Sequence, residues 1–259
     1  ILFPEIEIVS QSVLEQVPVL SMADMSKADF AQAFGESFQQ FGFAMVRDHG
    51  MDQRLIEDGW ALARAFFAQS EEAKRRHDAK NNGGQRGYTA FGTEIAKGAS
   101  ENDLKEFWHV GRDLPAGDPL ANSMPPNVWP DDMPEFQPVF AKLYAEFDRV
   151  GAELLSAIAL YLGLPERWFD GPIHHGNSIL RLLDYPRGSP QAPSIRGGAH
   201  EDINLITMLL GAEEGGLELK DRSGNWLPVV PPPGALAINV GDMLQRLTNH
   251  LLPSTSHRV

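Results

Sequence analysis

The sequence predicts an α+β protein, with a mainly helical first half followed by an antiparallel barrel or jelly roll. Phe30, Phe34, Phe38 and Phe41 recur every three or four residues, the period of a helix with one buried face. A longer stripe of Leu143, Phe147, Val150, Leu154, Ile158 and Leu162 marks a second, central helix. From about Asn177 the pattern changes to short apolar or alternating runs separated by Gly, Pro and Asp, the spacing of antiparallel β architecture.

The elements follow in order. "VPVL" (17–20) reads as a short strand, with Asp24 and Ser26 as possible caps of the phenylalanine helix. "GFAMVRDHG" (42–50) reads as a strand ending in a glycine turn, and a second helix covers Gln53 to Gln69. Residues 81–98, rich in Gly and polar residues, read as an irregular loop with short strands, and the proline-rich stretch from Pro115 to Pro138 as the connection to the central helix. The later strands are "SILRLLDYP", "NLITMLL", "GLELKD", "WLPVVP", "ALAINVGD" and "SHRV", with "DRSGNW" as a hairpin turn.

Composition narrows the chemistry. With no cysteine among 259 residues, disulfides, thiolate zinc sites, iron–sulfur clusters and cysteine nucleophiles are excluded. Any metal must be held by His, Asp, Glu and water. A formal net charge of -13 gives no electrostatic footprint of a nucleic-acid binder. No apolar run is long enough for a membrane helix, and "ILFPEIEIVS" lacks the features of a signal peptide, so a cytoplasmic protein is expected. The chain does not begin with Met, so it is expected to be less than the whole gene product.

The stretch "GGAHEDINLITMLL" (197–210) places His200 and Asp202 two apart at the mouth of a strand. In an extended strand such residues share a face, and Glu201 points away. A second histidine from elsewhere would complete a two-histidine, one-carboxylate set that leaves positions open on a metal. His257 in "PSTSHRV" can supply it, with His250 as rival. On the residues alone the signal is weak, since such triples recur in many proteins. His174 and His175 read as solvent-exposed loop and His77 as a surface helix residue, and His49 ends the "RDHG" turn.

The surrounding sequence is more specific. The H-x-D before a threonine-containing strand, "GGL", the tryptophan after a glycine turn, "NVGD" and the closing Thr248, Asn249, Ser254, His257, Arg258 and Val259 resemble the isopenicillin N synthase-like family of 2-oxoglutarate/Fe(II) oxygenases. "VPVLSMAD", "FGFAMVRDHGM", "FFAQSEEAK", "RGY" and "DLKEFWHVG" resemble its N-terminal region. The resemblance implies a double-stranded β-helix (jelly roll) core flanked by N-terminal and central helices. It divides the chain into an N-terminal region, 1–130, and a long helix plus core, 131–259, in one compact unit.

The resemblance further implies Fe(II) on His200, Asp202 and His257, with 2-oxoglutarate and O₂ as cosubstrates. The reaction would convert 2-oxoglutarate to succinate and CO₂ while oxidising, most commonly hydroxylating, a small molecule; desaturation and ring formation belong to the same chemistry. Tyr185 matches the family's Tyr-Pro tyrosine. Asn177 and Arg181 lie on the same predicted strand, and Arg181 shares a face with Leu183 and Tyr185. These are the cosubstrate candidates. The family's anchoring Arg-x-Ser would fall beyond Val259. Tyr88, Phe107 and His109 are substrate-wall candidates, whereas Arg258, next to His257, is aimed away from the metal and reads as structural. Alternatives are an iron oxidase that needs no 2-oxoglutarate, a Zn²⁺ hydrolytic site, and a jelly roll that only binds.

Overall fold

The computed structural model describes residues 16–78, 84–93, 105–185, 197–211 and 215–259, and contacts divide it into two units. One takes the described residues up to Gly50, Arg149–Pro172 and Ala199–Val259; the other takes Met51–Asp148 and Ile173–Gly198. Neither is a contiguous span such as 1–130 or 131–259.

In the first unit, α1 (Lys27–Phe41) is capped by Ser26, whose hydroxyl accepts from the Asp29 N–H. Gly42 ends it at φ 68°, a left-handed conformation that favours glycine. Phe30, Phe34 and Phe38 are all buried, with successive rings 5.4 and 4.3 Å apart. The aromatic stripe is therefore this helix's core face.

A four-stranded sheet orders β1 (Val19–Ser21), β2 (Phe43–Arg47), β9 (Leu236–Val240) and β6 (Ile206–Leu210). Only β1 and β2 run parallel. A second sheet orders β10 (His257–Arg258), β7 (Glu218–Lys220) and β8 (Trp226–Pro228), all antiparallel. Phe43, Met45 and Ala237 of the first sheet share one apolar cluster with Leu219 of the second, beside Val17, Phe41 and Val229. Burying apolar faces from two sheets in one cluster keeps both sets of strands off water. Short α6 (Asp242–Leu247) follows β9.

The second unit holds α2 (Gln53–Phe67), the single turn α3 (Glu71–Arg75) and a sheet of β3 (Gly87–Thr89), β4 (Glu106–Gly111) and β5 (Ile179–Asp184). Trp108 of β4 is buried between Phe66, ring centroids 4.8 Å apart, and Phe136, 5.2 Å apart. The central helix α4 spans Phe136–Tyr161. The proline-rich connection thus ends earlier than its prolines do, because Pro138 sits in the first turn, where no helical N–H is needed. Short α5 is Asp170–Ile173. Among the described residues, no helix is long and apolar enough to cross a membrane. Of the segment expected over 81–98, residues 84–93 are described and carry the short strand β3; the rest lies outside the described residues.

Candidate metal centre

β6 begins at Ile206, so His200 and Asp202 precede the regular strand rather than lying on it. His200 instead forms an isolated bridge with His257: each backbone N–H donates to the other's carbonyl at 3.0 Å. This bridge brings together two histidines distant in sequence, their rings 4.5 Å apart. Asp202 Oδ1 lies 3.7 Å from His200 Nε2 and 4.0 Å from His257 Nε2. One donor atom from each of the three residues lies within 4.8 Å of the others.

The second carboxylate oxygen is committed elsewhere. Asp202 Oδ2 accepts from Thr207 Oγ1 at 2.5 Å and from Asn239 Nδ2 at 2.8 Å. Thr207 and Asn239 are direct partners across β6 and β9, so the sheet presents both donors to one oxygen. Asn204 Nδ2 donates in turn to Thr207 Oγ1. The Asp202 carbonyl accepts from the Asp242 N–H at 2.7 Å, and that of Asn204 from the Met243 N–H. Gly241 immediately precedes these two donors; a Cβ there would sit 2.2 Å from the Asn204 carbonyl oxygen. "NVGD" thus supplies a donor to Asp202, a close backbone approach and a backbone anchor. These roles were not readable from the motif's position in the sequence.

The electrostatics suit a cation. Burial alone would raise the Asp202 pKa, but Asn239, Thr207 and the two imidazoles hold it below the ordinary carboxylate value. His257 is buried, which lowers its pKa against the pull of Asp202. Its Nδ1 lies 3.1 Å from the Thr255 carbonyl and donates to it, leaving the Nε2 lone pair on the Asp202 side. An ionised aspartate and a neutral imidazole are the forms that bind metal. Two imidazoles and one carboxylate offered on one side can hold an octahedral transition metal with positions left open.

The other candidates separate. His250 is exposed in a turn at φ 64° and is not in the donor cluster. Glu201 is likewise outside it, and Arg258 donates to Glu218 and stacks on Trp226. His49 is buried, its Nε2 2.8 Å from the Gly234 carbonyl. His175 pairs with Asp118 and stacks on His174. His77 is buried rather than on a helix surface, because α3 ends at Arg75 and the chain turns inward.

In the second unit, His109 pairs with Arg181 and Phe107 with Leu183 across β4 and β5. Arg181 Nε donates to His109 Nε2 at 2.6 Å, and its guanidinium lies 4.5 Å over the Phe107 ring. His109 Nδ1 lies 2.9 Å from the Gly84 carbonyl, so Nδ1 carries the proton and Nε2 accepts. Tyr88 does not join this face. It pairs with Trp108, on the opposite side of the pleat from Phe107 and His109, and its buried hydroxyl donates to Glu106. Asn177 Oδ1 accepts from Arg86. Asn177 and Tyr185 flank β5 rather than lying on it.

Comparison with known proteins shows the family of the chain. Residues 17–132 match the family model described as non-haem dioxygenase in morphine synthesis N-terminal, and residues 176–259 match that of the 2OG-Fe(II) oxygenase superfamily. The proline hydroxylase buaE of Petromyces alliaceus is 33% identical over 95% of this chain and 79% of its own. A Caulobacter crescentus structure described as a 2OG-Fe(II) oxygenase family protein is 50% identical, with a TM-score of 0.87 over 94% of this chain and 79% of that one. A full-length Neurospora crassa protein in complex with α-ketoglutarate and thymine is 27% identical, with a TM-score of 0.80 over 95% of this chain and 81% of that one. The chain belongs to the 2OG-Fe(II) oxygenase superfamily. It is an oxidoreductase that uses Fe(II), 2-oxoglutarate and O₂.

Proposed function

We propose that His200, Asp202 and His257 are the iron ligands of a dioxygenase that hydroxylates a small molecule with formation of succinate and CO₂. The convergence of these three donors within 4.8 Å, in a chain of this family, carries the reading. Bound Fe(II) would supply O₂ activation coupled to oxidative decarboxylation of 2-oxoglutarate. The protein's part is to keep Asp202 ionised and singly available through Oδ1, with Thr207 and Asn239 holding Oδ2. His257, fixed through Nδ1, presents Nε2. A ligand set on one side leaves room for cosubstrate and O₂ on the other.

The two packed sheets of the first unit suit the two walls of a jelly roll, the core we propose for this chain. Asn177, Arg181 and Tyr185 are proposed contributors to the cosubstrate site; an arginine fits a carboxylate in a bidentate manner. Phe107 and His109 are proposed to line the substrate site, with Tyr88 supporting β4 from its other face. One relative is named for proline and another was solved in complex with thymine, which favours a small-molecule substrate for this chain; no nucleic-acid or membrane partner is proposed. A cysteine-free chain that works with ferrous iron suits the cytoplasm.

The test is anaerobic loading with Fe(II) and 2-oxoglutarate, then O₂, with succinate quantified. Iron-dependent succinate that disappears in His200→Ala is the expected result. Succinate formation untouched by that substitution would overturn the ligand assignment.

A further inference from the structure

We propose that His77, Asp131 and Asp132 form a second divalent-cation site, in the second unit and independent of the iron ligands. One donor atom from each lies within 4.8 Å of the other two. Asp131 and Asp132 are exposed neighbours in the turn ahead of α4, and an acidic pair of that kind carries no weight alone. The second observation is His77. Its side chain is more than nine-tenths buried, and Nε2 has no hydrogen-bond partner. That nitrogen lies 3.9 Å from Asp132 Oδ1, too far for a hydrogen bond. A buried polar atom without a partner costs free energy and asks for a reason. A cation between imidazole and carboxylates provides one.

The surroundings agree. Asp132 Oδ2 is taken by Gln69 Nε2 and Arg76 Nη2 at 3.3 and 3.4 Å, which leaves Oδ1 on the His77 side. The His77 ring is steadied against Phe66 and Trp108, 6.3 and 5.8 Å away, and its backbone carbonyl accepts from Tyr88. The imidazole is thus held in place, with Asp132 Oδ1 facing it. One imidazole and two carboxylates, with water completing the shell, suit a borderline cation such as Zn²⁺ better than Ca²⁺ or Mg²⁺, which prefer all-oxygen sets. The ion would tie the turn after α3 to the turn before α4, closing a long loop. Its role would be to stabilise the unit.

The experiment measures Zn²⁺ stoichiometry by equilibrium dialysis of the full chain in four forms: unaltered, Asp131→Asn/Asp132→Asn, His200→Ala/His257→Ala, and all four substitutions together. Two, one, one and no tightly bound ions are expected. His77→Gln, with its fold checked by far-UV circular dichroism, is expected to weaken the remaining ion of the His200→Ala/His257→Ala protein at least tenfold. That protein's Tm is expected to rise with Zn²⁺ only while Asp131 and Asp132 are intact. Unchanged stoichiometry in Asp131→Asn/Asp132→Asn, or unchanged affinity in folded His77→Gln, would overturn the proposal. Failure of the iron-ligand assignment would register instead as no loss of an ion in His200→Ala/His257→Ala.

Discussion

Asn239 Nδ2 donates to Asp202 Oδ2 at 2.8 Å, and its cross-strand partner Thr207 donates to the same oxygen. The carboxylate is therefore fixed by one oxygen and offers the other. Groups that orient a ligand in this way typically account for about 10–100-fold in metal affinity. Asn239→Leu is accordingly expected to weaken Fe(II) binding by about that factor. Asn239→Asp, which sets a second negative charge against Asp202, should do at least as much harm. Anaerobic competition with a chromogenic chelator reads the affinity directly. Equal affinity in Asn239→Leu and the unaltered protein would show that Asp202 is held by other means.

Gly241 offers a test of the backbone beneath the site. An added Cβ would approach the Asn204 carbonyl oxygen to 2.2 Å and Asn204 Oδ1 to 2.4 Å; the side-chain oxygen can swing aside, but the backbone carbonyl cannot yield without moving the segment after Asp202. Overpacking of this kind costs roughly 1–3 kcal/mol. Gly241→Ala is expected to lower stability by that order and to weaken metal binding together with it. Denaturant unfolding and the same chelator competition measure both. A variant that is destabilised but binds metal normally would separate the two effects.

What the sequence made legible, and what it hid, follows from the range of the interactions. The phenylalanine stripe of α1 and the apolar stripe of α4 are local patterns, and both are core faces. His200 and Asp202 were singled out by spacing, but for an incomplete reason: the strand assumed at 200–202 begins only at Ile206, and a single bridge to His257 brings the histidines together. His250 stood as a rival because nothing local separates it from His257. Its exclusion depends on a left-handed turn that the sequence does not announce. Thr207 and Asn239 escaped notice because their shared role exists only in the register of β6 against β9. Tyr88 was grouped with Phe107 and His109 for the same reason, since which face a residue takes is settled by strand pairing.

Lys74 and Glu106 form a buried ion pair at 2.5 and 2.7 Å, and Lys74 also donates to the Phe67 carbonyl. Both side chains are more than nine-tenths buried. Removing one member strands the other charge, a loss of about 3–5 kcal/mol. Glu106→Leu and Lys74→Met are each expected to destabilise by that order, whereas Lys74→Met/Glu106→Leu, which removes both charges, should cost distinctly less than the two together. A double-mutant cycle from urea unfolding checks this. Costs that simply add would mean that the pair is not coupled.

Tyr88 gives stability a defined dependence on alkaline pH. Burial, the hydrogen bond to Glu106 and that residue's charge together raise its phenol pKa well above the ordinary value. In the unfolded chain the phenol ionises near about pH 10. Below that pH both states hold the proton and its contribution is full. Above it the unfolded state has lost the proton and the folded state has kept it, so stability falls as pH rises, by about 1.4 kcal/mol per pH unit. Tyr144 and Tyr161 are also raised, chiefly by burial, and contribute equally to any variant that retains them. Tyr88→Phe, though less stable at pH 8 for want of its hydrogen bond, is expected to lose stability less steeply between pH 10 and 11 than the unaltered protein. Urea midpoints across that range give the two slopes, and parallel slopes would mean that Tyr88 ionises in the folded state as readily as in the unfolded.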